Sequence, residues 1–110
     1  MIVELVFIDL PKGTTRTQAL ESYRKTAESW RRNKDLVEKY YFFDEERLVG
    51  GGVYIWDNRE AAYRWHGDEY KQMVLTHYGA PPRIQILDAL IHVNPPRGLV
   101  QELPSLVQAS

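Results

Sequence analysis

Apolar residues fill the chain from Ile2 to Asp9, several of them β-branched, and Pro11-Lys12-Gly13 closes the run. That pattern predicts a buried strand. Thr15-Arg16-Thr17-Gln18 then has the form of a capping box, in which a Thr hydroxyl and a Gln side chain each satisfy a free backbone N–H. Ala19, Tyr23, Ala27 and Trp30 follow at intervals of four and three, which is one stripe of a helix. Arg31, Arg32 and Lys34 lie where cations favour a helix C-terminus, so the basic cluster reads as a solvated helix end.

Residues 36–43 predict a second strand, Asp44-Glu45-Glu46 a polar turn, and residues 47–56 a third strand paired to the second as a hairpin. Asp57-Asn58-Arg59-Glu60 opens a helix that turns Ala61, Ala62 and Trp65 inward. Gly67-Asp68 interrupts it, and Asp68 is placed to cap a short third helix carrying Tyr70, Met73, Val74 and His77. Gly79 suits a left-handed helix end and Pro81-Pro82 blocks continuation. Residues 83–93 are expected as the last strand. The order β-α-β-β-α-β predicts a ferredoxin-like α+β domain over residues 1–93, with helices on one face of an antiparallel sheet. Residues 94–110 form a tail or arm, in which Leu99, Val100, Leu103, Leu106 and Val107 fall at helical spacing around Pro104.

Tyr40-Tyr41-Phe42-Phe43 and Val53-Tyr54-Ile55-Trp56 offer apolar side chains to both faces of the sheet. Helices can cover only one of them, so a second copy of the chain is expected on the other. The chain has 110 residues and a formal net charge of -1, with no cysteine. One domain is the natural reading of that length. The near-neutral balance argues against a polyanion partner. Missing cysteines exclude disulfides and thiol catalysis, and fit a reducing cytoplasm. No apolar run reaches the length of a membrane span, so no membrane partner is expected. Seven Tyr and three Trp are a large aromatic load for one small core, which points to an aromatic-lined pocket or interface.

Gly50-Gly51-Gly52 enters a strand rather than a helix, which is wrong for a phosphate cradle. Glycines inside a strand mark a bulge or a close approach, and here they would open space over the sheet. RNA-binding domains of this topology carry stacking aromatics on the third strand, where this chain has those glycines; nucleic acid is therefore not an expected ligand. His66, His77 and His92 are too scattered for a metal site. His77, four residues after Met73, is the one expected to face the sheet. No nucleophile elbow, dinucleotide loop or carboxylate pair is present, and the residues alone name no reaction.

Lys39-Tyr40-Tyr41-Phe42-Phe43-Asp44-Glu45-Glu46, Gly51-Gly52-Val53-Tyr54-Ile55-Trp56, Arg59-Glu60-Ala61-Ala62 and Tyr78-Gly79-Ala80-Pro81-Pro82-Arg83-Ile84-Gln85 together resemble the YdhR-like monooxygenase family. That family is a branch of the dimeric α/β-barrel superfamily, which includes antibiotic biosynthesis monooxygenases. The resemblance covers residues 2–93 and implies a homodimer with sheets packed face to face. It further implies oxygenation of a phenol or hydroquinone by molecular oxygen, the substrate donating the electrons and no cofactor being bound. Such chemistry needs a dry aromatic pocket and a group that stabilises a substrate anion. The matching residues are His77, Lys39 and Tyr41 as catalytic candidates, and Trp30, Tyr54, Trp65 and Met73 as contacts to a small aromatic ligand. The alternative is a non-catalytic small-molecule-binding or stress-related dimer on the same fold. Haem-degrading relatives, which Trp65 and His77 resemble, carry an Asn on the first strand; residues 3–7 have none.

Overall fold

The computed structural model describes residues 1–103. Its strands are β1 (Ile2–Asp9), β2 (Leu36–Asp44), β3 (Val49–Trp56), β4 (Arg83–Asp88), β5 (Ile91–Asn94) and β6 (Leu99–Glu102), and its helices α1 (Arg16–Arg31), α2 (Arg59–Trp65) and α3 (Asp68–Tyr78). The first four strands make one antiparallel sheet in the order β2-β3-β1-β4, the ferredoxin-like arrangement. Thr15 and Gln18 close the capping box of α1 with bonds of 3.2 and 3.0 Å. Asn58 caps α2 by accepting from the Ala61 amide at 2.9 Å.

Side chains alternate across β1, placing Ile2, Glu4 and Val6 in the fully buried layer under the helices. Trp56 and Tyr54 join them from β3, with Ala61 and Ala62 packed down from α2. The alternation would put Tyr40 on the same side as Leu36, but Leu36 and Glu38 pair with the adjacent residues Trp56 and Ile55, leaving Val37 as an extra residue. This bulge flips the parity of everything after it. Lys39 now pairs with Tyr54, and Tyr41 with Gly52, on the helix side.

Several boundaries differ from the sequence expectation. Asp68 does not cap α3; Gly67 holds that position without a side-chain bond, and Asp68 opens the first turn, where a carboxylate favours the helix dipole. Ala27 is exposed, because α1 stands away from the sheet and turns Tyr23, Thr26 and Trp30 towards it. The expected last strand ends at Asp88. Residues from Ile91 turn back through a 3₁₀ turn at Pro95–Arg97 and pair with β6 as a separate hairpin. Leu99 and Val100 are thus in a strand, not a helix, since the Asn94 side chain and Gly98 in the left-handed region make a tight reversal there. Leu106 and Val107 lie outside the described residues.

Gly51 is the backbone position least open to change. Its φ is +142°, and a Cβ there would sit 1.8 Å from the Val6 carbonyl oxygen on the neighbouring strand. Gly51→Ala is expected to destabilise the protein by about 3 kcal/mol or more, through strain and displacement of β1 from β3. Urea unfolding checks this; a loss within about 0.5 kcal/mol, as at an ordinary surface site, would contradict the packing described.

Candidate functional site

A cavity of about 350 Å³ lies between the sheet and helices α1 and α3. Its floor is strand surface, where Gly51 leaves bare backbone between the side chains of Ile8, Lys39, Tyr41 and Tyr54. A Cβ at Gly50 would fall 2.4 Å from the Tyr23 hydroxyl, and one at Gly52 would fall 2.7 Å from Lys39 Nζ. The glycines therefore do open space over the sheet, and two polar groups occupy part of it. The Tyr23 hydroxyl donates to the Phe42 carbonyl at 2.9 Å and accepts from the Gly51 amide at 3.1 Å, tying α1 to the β2–β3 pair. Tyr41 stacks on Tyr23 with ring centroids 4.5 Å apart, and its hydroxyl lies 2.5 Å from Thr26 Oγ1.

Lys39 is the central polar group. Its Nζ sits 3.6 Å from the Tyr54 ring centroid, 3.9 Å from Tyr41 and 5.2 Å from Trp30. No carboxylate of the described residues makes an ion pair with it. Burial pushes its ammonium down from an ordinary 10.5 to about 7, while the Glu4 charge draws it part of the way back. The ring faces act in the same direction as Glu4, since they attract the ammonium and not the amine. The tyrosines shift oppositely. Burial raises Tyr23, Tyr41 and, most strongly, Tyr54, and raises Tyr70 to about 12, so all four remain hydroxyl donors near neutral pH.

Behind the cavity wall is a polar node that the sequence reading missed. Glu4 Oε1 accepts from Trp56 Nε1 at 2.8 Å and lies 2.7 Å from His66 Nδ1, with both the carboxylate and the imidazole fully buried. The His66 ring packs 4.4 Å from Tyr70 and 4.5 Å from Tyr54. The available signal was Glu4 itself, a lone carboxylate in an apolar strand, which must find a partner when buried.

Of the residues singled out from sequence, Trp30, Lys39, Tyr41, Tyr54, Met73 and His77 all line the cavity. Met73 and His77 stand at its exposed rim rather than its floor. Trp65 is not brought there: it packs edge-on against Trp30, is 43% exposed, and donates to Asp35 Oδ2 at 3.0 Å. Tyr23, Thr26, Tyr70 and Tyr78 also line the cavity, though the sequence suggested only packing roles for Tyr23 and Tyr70.

No protein-family model matches the sequence, and no curated protein matches it. Solved structures do. A candidate antibiotic biosynthesis monooxygenase from Deinococcus radiodurans superposes with a TM-score of 0.60 at 14% identity, over 86% of this chain and 97% of that one. A second structure, of an antibiotic biosynthesis monooxygenase, gives a TM-score of 0.60 at 18% identity, over 82% of this chain and 99% of that one. The fold is shared. At this level of identity the likeness establishes the α+β ferredoxin-like architecture and leaves the chemistry to the cavity. No helix among the described residues is long and apolar enough to cross a membrane.

The Lys39 shift sets a dependence of stability on pH. Between about 7 and 10.5 the unfolded chain binds a proton that the folded chain does not, so stability rises with pH through that window. The cost of the buried ammonium is fully present below the folded value and gone above the unfolded one. Lys39→Met is therefore expected to stabilise the protein by about 1–3 kcal/mol at acidic pH, discounted for residual solvent contact. That difference should fade as pH rises through the window. Urea midpoints across pH measure it; a constant difference would place the Lys39 amine in water.

Proposed function

We propose that the protein is a monooxygenase of the cofactor-independent type, acting on an aromatic or quinol-like small molecule and working as a homodimer. The observation that carries this reading is Lys39, an amine able to exchange a proton near neutral pH, held on the floor of an apolar cavity among three aromatic faces. A flat phenol entering the cavity stacks on those rings. The uncharged amine takes the phenolic proton, and the resulting ammonium stabilises the phenolate beside it.

The phenolate gives one electron to molecular oxygen, and the two radicals join at a ring carbon that bears hydrogen. The peroxide anion so formed takes back the proton held by the Lys39 ammonium, and cleavage of the O–O bond in this hydroperoxide, with loss of the ring hydrogen, releases water and leaves a quinone carbonyl. The protein's part is to deprotonate the substrate, orient it and exclude bulk water. Tyr54 and Tyr70, held as neutral hydroxyls, can donate to the substrate oxygen without competing for its proton. His77 at the rim is a second proton acceptor, in a position to exchange with solvent.

The homodimer is supported by the face of the sheet away from the helices. Leu5, Phe7 and Val53 point there, and Tyr40 and Leu87 are 63% and 50% exposed in the single chain. A partner sheet would cover them in an interface burying about 2,000 Å² or more. Sedimentation at micromolar concentration is expected to give a dimer, and Val53→Glu, a charge set in the middle of that face, to disperse it. A wild-type chain that sediments as a folded monomer would reject the assembly.

Oxygen uptake by the purified protein over a panel of naphthols, anthrones and hydroquinones tests the activity. Turnover should fall about 10²–10⁴-fold in Lys39→Met, and by a similar factor in His77→Gln if the rim imidazole carries the proton out. Saturable binding of the panel without oxygen uptake would instead favour the non-catalytic binding protein on the same fold.

A further inference from the structure

We propose that Lys39 also captures aromatic or conjugated aldehydes covalently, as an imine formed inside the cavity. The geometry that supports this is independent of oxygen chemistry. Nζ faces the cavity, sits in the space left by Gly52, and forms no ion pair with a carboxylate of the described residues. An amine tied into an ion pair presents three N–H donors and no lone pair, whereas this one can present its lone pair to a carbonyl carbon. Tyr54, Tyr41 and Trp30 are flat walls at stacking distance from a conjugated aldehyde bound at that nitrogen.

The reaction balances without a co-reactant. The amine lone pair attacks the carbonyl carbon, a C–N bond forms, and a proton moves from nitrogen to oxygen to give a carbinolamine. Loss of the hydroxyl group with the remaining N–H proton releases one water and leaves the C=N bond. The titratable groups facing this step are Tyr23 from α1, Tyr41 on β2, Tyr54 from β3, and Tyr70, His77 and Tyr78 from α3, while Glu4 on β1 acts through its charge from behind the wall. The Tyr54 and Tyr70 hydroxyls are the donors for the departing oxygen, since Tyr23 already donates to the Phe42 carbonyl and Tyr41 is bonded to Thr26. Glu4, whose charge reaches Lys39, favours the protonated imine once formed. Burial that keeps a large share of Lys39 unprotonated near neutral pH supplies the nucleophile, which the exposed Lys12, Lys25, Lys34 and Lys71 are not arranged to do.

The test uses 2-naphthaldehyde with sodium cyanoborohydride, which reduces an imine to a stable amine, followed by peptide mapping. Lys39 is expected to be modified about tenfold or more faster than any exposed lysine near neutral pH. Its labelling should rise with pH earlier than theirs. Lys39→Met and Lys39→Arg should both lose the fast adduct, the second while keeping a positive charge in the cavity. Uniform labelling of all five lysines, or protection of Lys39 relative to the exposed ones, overturns the proposal; so does a fast adduct that persists in either variant. Should both variants fail to fold, the wild-type map alone decides. Failure of oxygen uptake leaves this result untouched, and absence of the adduct leaves the oxygenase reading untouched.

Discussion

A strip of backbone without side chains on β3 governs how close the rest of the molecule can come. At Gly51 the strip lets β1 approach until the Val6 carbonyl occupies the place of a Cβ. At Gly50 it admits the Tyr23 hydroxyl, which fixes the distance of α1 from the sheet. At Gly52 it admits the end of Lys39. A side chain at Gly50 would push Tyr23 and its helix away, one at Gly52 would displace the end of Lys39, and one at Gly51 would force β1 from β3. The cavity exists because α1 is pinned through a tyrosine hydroxyl rather than seated flat on apolar side chains.

Lys39 depends on that strip and on a second local device, the bulge at Val37. Without the extra residue, Lys39 would project to the opposite face, and Glu38 or Tyr40 would stand where it does. With it, a cation is placed among rings that attract its charged form and in a volume that disfavours any charge. Burial is the larger effect and leaves the amine near the midpoint of its titration at neutral pH. A lysine so placed costs stability, and sites that carry such a cost are where chemistry is usually found.

Glu4, His66 and Trp56 solve a different problem at the same depth. The carboxylate in the centre of β1 and the imidazole after α2 are both cut off from water, and each supplies the other with a partner. Their shared contacts with Tyr54 and Tyr70 brace the wall of the cavity from behind. Glu4 also acts on Lys39 through its charge, so the brace and the floor form one electrostatic unit. The two faces of the sheet thus differ, the inner one holding the buried polar groups and the outer one carrying Leu5, Phe7, Val53 and Leu87 with Glu38, Arg83 and Gln85 beside them.

The sequence by itself determined the elements and their order, because these rest on local chemistry. The Thr15–Gln18 box, the Asn58 cap, the left-handed Gly79 and the apolar runs of β1 and β3 each act within a few residues. It also brought forward six of the cavity residues, since aromatic and cationic side chains on neighbouring strands and facing helices had few other places to go. Tertiary structure alone decided the rest. An extra residue leaves no trace where two charged residues in succession, Glu38-Lys39, offer one to each face, so the side of the sheet that Lys39 faces was not legible. Trp65 left the site because Asp35, thirty residues away in sequence, accepts its indole N–H, and Glu4 met His66 across sixty-two residues. The hairpin of β5 and β6 took residues whose spacing also fits a helix, because strand pairing is settled by a partner and not by spacing.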